Sequence, residues 1–243
     1  MRPILQISAG SVVYSAAYAW QRELHARRVA GDIPDVLLLL EHPHVFSLGR
    51  RFQPEHLLAG PDELRHRGVE VHEADRGGSI TYHGPGQLVA YPVVDLRRSD
   101  GRHPDVIAYL RLLESAVLAT VSGYRIDAGL RPGLTGVWVG HHKLAAIGVN
   151  ISRGVAKHGV ALNVSTDLSF FESMVPCGIP DAGVTSMERV LGSEVELDSV
   201  AESFAGHLAR LLERRIQRAT IGELGLQLPA GSQPAREMAA ARA

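Results

Sequence analysis

The sequence predicts a mixed α/β fold with interspersed helices and strands and mixed or antiparallel sheets. Three observations carry this. Apolar residues recur at helical spacing in three stretches: Val13, Ala17, Trp20 and Leu24; Val106, Leu110, Leu113, Val117 and Val121; and Val200, Phe204, Leu208 and Leu211. Short runs rich in β-formers lie between them, and the run from Asp35 to Glu41 is apolar throughout, as in strands buried on both faces. Residues 76 to 94 and 135 to 164 have the spacing of hairpins.

In chain order, Ile4 to Ser8 read as a strand and residues 12 to 30 as an amphipathic helix stopped at Gly31. After the strand from Asp35 comes a loop around a short extended piece, ending in Arg50 and Arg51. Two adjacent arginines suit an anionic group or simply remain solvated. Pro54 to Arg67 read as one or two short helices, and Val69 to Glu73 as a strand. Pro104 suits the first turn of the helix that Gly123 ends. Thr135 to Val139, Leu144 to Ile151 and Gly159 to Val164 read as strands, and Val184 to Met187 as a last extended piece. Ser199 with Glu202 resembles a capping box ahead of the final helix. From Leu228 onward Pro, Gly, Ser and Ala dominate, which predicts a disordered tail.

Composition excludes some classes. The net charge of −1 creates no global field toward nucleic acid or an anionic membrane. One cysteine, Cys177, rules out an intramolecular disulfide. The N-terminus lacks a secretory apolar run, and Val36 to Leu40 is too short to span a bilayer, so a cytoplasmic protein is expected. Neither a phosphate-loop nor a dinucleotide-binding glycine motif is present. The closest histidine pairs, His141-His142 and His42 with His44, lack a third ligand at zinc spacing, so no metal is expected.

Residues 76 to 92 organise the chain. Gly77, Gly78, Gly84 and Gly86 punctuate two short β-runs, with Tyr82 and His83 at the lip of the loop. Such glycines fit a main-chain cradle for a ligand or a tight hairpin. Cys177 lies between Pro176 and Gly178. It suits a buried small hydrophobe or a reactive thiol in a rigid loop. A thiolate needs a partner, and a lysine can serve. Only two lysines occur, Lys143 and Lys157. Lys143 opens an apolar run, where it either snorkels or stands near low-dielectric surroundings that lower its pKa.

Several motifs in order then carry a resemblance. They are Glu41-His42-Pro43, Gly49-Arg50-Arg51, Arg76-Gly77-Gly78, Thr81 to Gln87, Lys143 with Ala145-x-Ile147-Gly148, His158-Gly159-x-Ala161-Leu162-Asn163, and Pro176-Cys177-Gly178-Ile179. The chain resembles the octanoyltransferase family of lipoate biosynthesis, within the lipoate and biotin protein ligases. The resemblance runs from about Ile4 to a helix expected to end near Arg218. It implies a large sheet, a small sheet and flanking helices, with 1–227 as one catalytic domain and 228–243 as tail. It implies octanoyl transfer from acyl carrier protein to a lysine of lipoyl domains. Those acceptors belong to 2-oxoacid dehydrogenase complexes and glycine cleavage H protein. The acyl group would ride on the carrier's phosphopantetheine, with no cofactor bound by the enzyme. It assigns the acyl thioester to Cys177 and its partner role to Lys143. It assigns substrate contact to Arg76, Gly77, Gly78, Ser79, Ile80, Thr81, Tyr82 and His83, to Ala146, Ile147 and Gly148, and to His158, Gly159 and Val160. Gly78 and Gly148 are the expected oxyanion donors. An ATP-dependent ligase on the same fold and a non-catalytic binding module are the rival readings. His83-Gly84-Pro85-Gly86-Gln87 and the Pro-Cys-Gly turn favour the transferase.

Overall fold

The computed structural model describes residues 1–97, 104–175 and 183–228. Cys177, and the predicted tail beyond Leu228, lie outside them. The chain opens with β1 (Arg2–Ser11), α1 (Tyr14–Ala30), β2 (Asp35–Glu41) and β3 (Val45–Leu48). It continues through α2 (Pro61–His66), β4 (Glu70–Glu73), β5 (Ile80–His83), β6 (Gln87–Asp95) and α3 (Val106–Gly123). It closes with β7 (Gly129–Arg131), β8 (Leu134–Val139), β9 (His142–Ser152), β10 (Val155–Asn163), α4 (Met187–Leu191), α5 (Leu197–Leu211) and β11 (Arg214–Arg218).

Among the described residues a large sheet runs β11-β1-β2-β6-β10-β9-β8-β7, and a small one runs β4-β3-β5. The large sheet is mixed: β11, β1 and β2 are parallel, and the pairings from β2 to β7 are antiparallel. The expected large and small sheets are therefore present. Alternation splits the large sheet's side chains between two layers. Leu37, Leu88 and Val160 pack with α3 and α5, while Val36, Leu38 and Val89 pack with α1. The small sheet has its own core of Phe46, Ile80 and Tyr82 with Phe170 and Phe171. By length and composition α3 is apolar enough to cross a membrane, yet its Leu113, Val117 and Val121 belong to the core shared with α5.

Several expectations need correction. Residues 80–83 and 87–95 are not a hairpin, because β5 pairs β3 in the small sheet and β6 joins the large one. The His83-Gly84-Pro85-Gly86 link is a crossover between sheets. Pro104 precedes the helix; Asp105 caps it, its side chain accepting from Ala108 N. Ser199 caps nothing, because α5 starts at Leu197 and Ser199 Oγ donates to Glu196. Glu202 instead accepts from Gln6 Nε2. Leu211 is 43% exposed and lies off the buried stripe. Val184 makes one bridge to Lys143, and Met187 begins α4. Residues near Arg218 form edge strand β11, not a helix end.

One distortion positions the site. Pro92 sits inside β6, where its missing N–H removes a ladder donor. Opposite it the β6–β10 ladder is open between Ala156 and Val160. His158 takes φ 58° there, and its N–H goes to Gln21 Oε1 of α1 at 2.8 Å. The break thus aims His158 out of the regular strand pattern.

Candidate active site

The glycine stretch is stapled between the two sheets. Gly77 N donates to Val149 O of β9 at 2.9 Å, and Asn150 Nδ2 donates to Asp75 O at 2.7 Å. Gly78 has φ +88°, a conformation that disfavours side chains. A Cβ on Gly49 would lie 2.5 Å from Gly78 O and 2.8 Å from Ser79 O, so this approach requires glycine.

These staples enclose a cavity of about 380 Å³. One wall is Arg76, Gly77, Gly78, Ser79, Ile80, Thr81 and His83; another is Ala146, Ile147 and Gly148; a third is His158, Gly159 and Val160. Lys143 also lines it, so the fold collects candidates from well-separated stretches. Tyr82 is placed elsewhere. Alternation along β5 turns its ring into the small sheet's core, where it stacks on Phe170 and its hydroxyl meets His44 Nδ1 at 2.7 Å.

Lys143 is 9% exposed and its Nζ lies 4.8 Å from the Trp138 ring centroid, a cation–π contact. Its backbone is held at both ends of the peptide unit: Lys143 N donates to Gly183 O at 2.8 Å, and Thr185 N donates to Lys143 O at 3.0 Å. Met174 and Val184 both line the cavity. The described residues on either side of segment 176–182, which contains Cys177, therefore end at the cavity that Lys143 lines.

A buried hydrogen-bond chain fixes the far wall. Arg76 Nε and Nη2 donate to Ser47 Oγ at 3.2 and 2.9 Å, and Nη2 also donates to Ser47 O at 2.5 Å. Gln87 Nε2 donates to Tyr82 O and Asn163 Oδ1, leaving Gln87 Oε1 to accept from His83 Nδ1 at 2.8 Å. The network so assigns the His83 proton to Nδ1, and Nε2 accepts from Ser47 Oγ at 3.2 Å. Asn163 Nδ2 donates to Thr185 O, joining the chain to the Lys143 strand. Burial first, then repulsion from His42, pushes the His83 pKa well down.

His158 Nε2 donates to Asp75 Oδ1 at 2.7 Å, and Lys157 Nζ donates to Oδ2 at 2.5 Å. Burial alone would raise the Asp75 carboxyl, but these bonds hold it well below the usual range. Burial lowers the His158 pKa, and Asp75 opposes this only in part. Both ring nitrogens of His83 and the Nε2 of His158 are thus committed to partners. Lys143 brings an amine, a group able to give up and regain a proton, to the same cavity.

The comparisons with known proteins follow the same lines. The model of the lipoyl protein ligase A/B catalytic domain matches residues 13–209. The chain belongs to the lipoyl protein ligase A/B catalytic domain family. An octanoyltransferase from Solibacter usitatus is 52% identical over 204 residues, covering 84% of this chain and 90% of that relative. One from Chloroflexus aggregans is 47% identical, covering 88% and 97%. This family member is an acyltransferase. The structure of lipoate-protein ligase A bound with ATP matches with a TM-score of 0.70 at 16% identity, over 90% of this chain and 89% of the other, a likeness of fold.

Ser47, Gln87 and Asn163 belong to this buried network, and the sequence alone assigns them no role. Gln87 and Asn163 carried a signal, being polar residues at the ends of apolar runs. Ser47, between Phe46 and Leu48, carried little, because an alternating serine in a short strand is as often solvent-facing.

Proposed function

We propose that the chain transfers an octanoyl group from acyl carrier protein to a lysine of a lipoyl domain, through a thioester on Cys177. The observation that supports this reading is that Met174 and Val184, which flank segment 176–182 in the sequence, line the same cavity as Lys143. Octanoyl transfer for lipoylation agrees with the relatives' names. The carrier donor and the thioester are the further content of the proposal.

Cys177 attacks the thioester carbonyl as a thiolate beside the Lys143 ammonium. Backbone N–H groups of the glycine walls, Gly78 and Gly148 foremost, are the proposed oxyanion donors. The carbon–sulfur bond to phosphopantetheine breaks, and the departing thiolate takes a proton from Lys143. The acceptor amine then attacks the acyl-enzyme and gives a proton to neutral Lys143. The Cys177 thiolate leaves and the amide forms, restoring the starting charges. Ile147, Val160 and Leu110 offer apolar surface to the acyl tail. Each buried methylene contributes about 0.8 kcal/mol, enough to grade chain lengths. No bound cofactor takes part in these steps.

An ATP-dependent ligase is the second reading, because a protein of the same fold binds ATP. The test supplies a lipoyl domain with octanoyl carrier protein, or with octanoate and ATP. The proposal expects octanoyl-lysine from the thioester without ATP. Product that forms only from octanoate with ATP would contradict it.

A further inference from the structure

We infer that the cavity mouth carries a phosphodiester-binding site built on Arg51, which engages the phosphate of a phosphopantetheine-borne acyl donor. The inference rests on the thioester-donor reading above and adds to it where the donor's negative charge is held.

The first observation is the charge of the cavity. Among the described residues its lining includes Arg51, Arg76 and Lys143 and no carboxylate. A lining of one sign raises the local concentration of the opposite charge. An octanoyl chain and its thioester are both neutral, so they give such a lining nothing to neutralise. The phosphodiester is the anion that a carrier arm brings to the mouth.

The second observation separates Arg51 from the other two cations. Arg76 is buried and spends Nε and Nη2 on Ser47 and Nη1 on Gly77 O. Lys143 is buried against Trp138. Arg51 is exposed, and among the described residues its guanidinium has no hydrogen-bond or ion-pair partner. Its five donors in a rigid fork match phosphate geometry.

The third observation is that its backbone is not free to wander. Arg51 N donates to Gly78 O at 3.0 Å and Arg50 N donates to Arg76 O at 3.1 Å. Gly49 N donates to Ser79 O at 2.6 Å. Three successive peptide N–H groups thus fasten the arginine turn to the cradle, and Gly49 has no space for a Cβ. A solvated surface arginine needs no such anchoring. A site that must hold a phosphate at a fixed offset from the acyl group does.

A free carboxylate is the other anion that fits this charge, and it belongs to the ligase reading. Comparing two thioester donors that differ only in phosphate isolates the site. The full-length protein is given octanoyl-4′-phosphopantetheine or octanoyl-pantetheine, and single-turnover acylation is followed by intact mass. Charge-assisted hydrogen bonds are worth about a tenfold to hundredfold effect, so wild type should acylate faster from the phosphorylated donor by roughly that factor. Arg51→Ala should collapse the ratio toward unity. Arg51→Lys should keep part of it, as a point charge without the fork. The wild-type ratio should shrink as ionic strength rises. Equal rates from the two donors in wild type, or a ratio that Arg51→Ala leaves intact, would overturn the site. If Arg51→Ala slows acylation from octanoyl carrier protein while the small-donor ratio stays intact, Arg51 reads carboxylates on the carrier and the phosphate assignment is wrong. Wild type that takes the octanoyl group from neither thioester nor carrier protein overturns the donor reading itself, and the phosphate site with it.

Discussion

Lys143 has two separable jobs in the proposed chemistry. It can stabilise a neighbouring thiolate as a fixed charge, and it can give up and regain a proton. Arginine keeps the charge but is effectively never deprotonated. Lys143→Arg should therefore retain part of acyl-enzyme formation and slow transfer to the acceptor by roughly 10²- to 10⁴-fold, the usual worth of a general base. Single-turnover acylation followed by addition of a lipoyl domain reads the two halves separately. Wild-type transfer by the arginine variant would remove the base role. At this scale the sequence was partly legible. Arg76, His83 and His158 stand in glycine-rich motifs, and all three line the cavity. Ser47 was not legible, because the two side chains it joins come from 29 and 36 residues away. Cys177 was named from its Pro-Cys-Gly setting, and its position lies outside the described residues.

At the scale of elements, the crowding between β6 and β10 has a direct consequence. Gly159 lies where β10 passes Pro92, and a Cβ there would collide with Ala90 O and approach the Pro92 ring at 2.6 Å. Gly159→Ala should destabilise by about 1–3 kcal/mol, the usual cost of overpacking. The midpoint of urea unfolding should fall without a change in slope. An unchanged midpoint would show that the strand shifts freely to make room. Periodicity located α1, α3 and most central strands, since burying one face imposes a period on the sequence. It failed where local chemistry fits two topologies. A four-residue Gly/Pro link serves a hairpin or a crossover equally, so the split of β5 and β6 between sheets was invisible. It failed again at β11, where four of five residues are polar or charged, as suits an edge strand. Arg214 there turns inward, its Nε donating to buried Asp35 at 2.7 Å.

Across the whole molecule, buried imidazoles tie stability to pH. Burial lowers the His42 pKa to about 4, and its hydrogen bond to Val12 O only partly opposes this. Burial also lowers His83 and His158. These folded values lie below the unfolded value of about 6.5, so the unfolded chain binds more protons between the two. Their stabilisation is complete above about pH 6.5 and is lost as pH falls; His42 alone accounts for roughly 3 kcal/mol by pH 4. Urea midpoints should drop steadily from about pH 6.5 to about pH 4.5, above the range where most carboxylates titrate. A flat profile over that window would mean that these rings are solvated or charged in the folded protein. The same fold brings Arg76 to Thr81, His83, Lys143, Ala146 to Gly148 and His158 to Val160 to one cavity, with Met174 and Val184, which flank segment 176–182 in the sequence, on its wall. The proposed acyltransfer turns on whether that segment's thiol takes the acyl group. The most direct test mixes the protein with octanoyl carrier protein in the absence of acceptor and reads intact mass. Wild type should gain one octanoyl group, located on Cys177 by peptide mapping and discharged when a lipoyl domain is added, while Cys177→Ala should gain none. Full acylation of Cys177→Ala, or a wild-type adduct that the lipoyl domain does not discharge, would contradict the account.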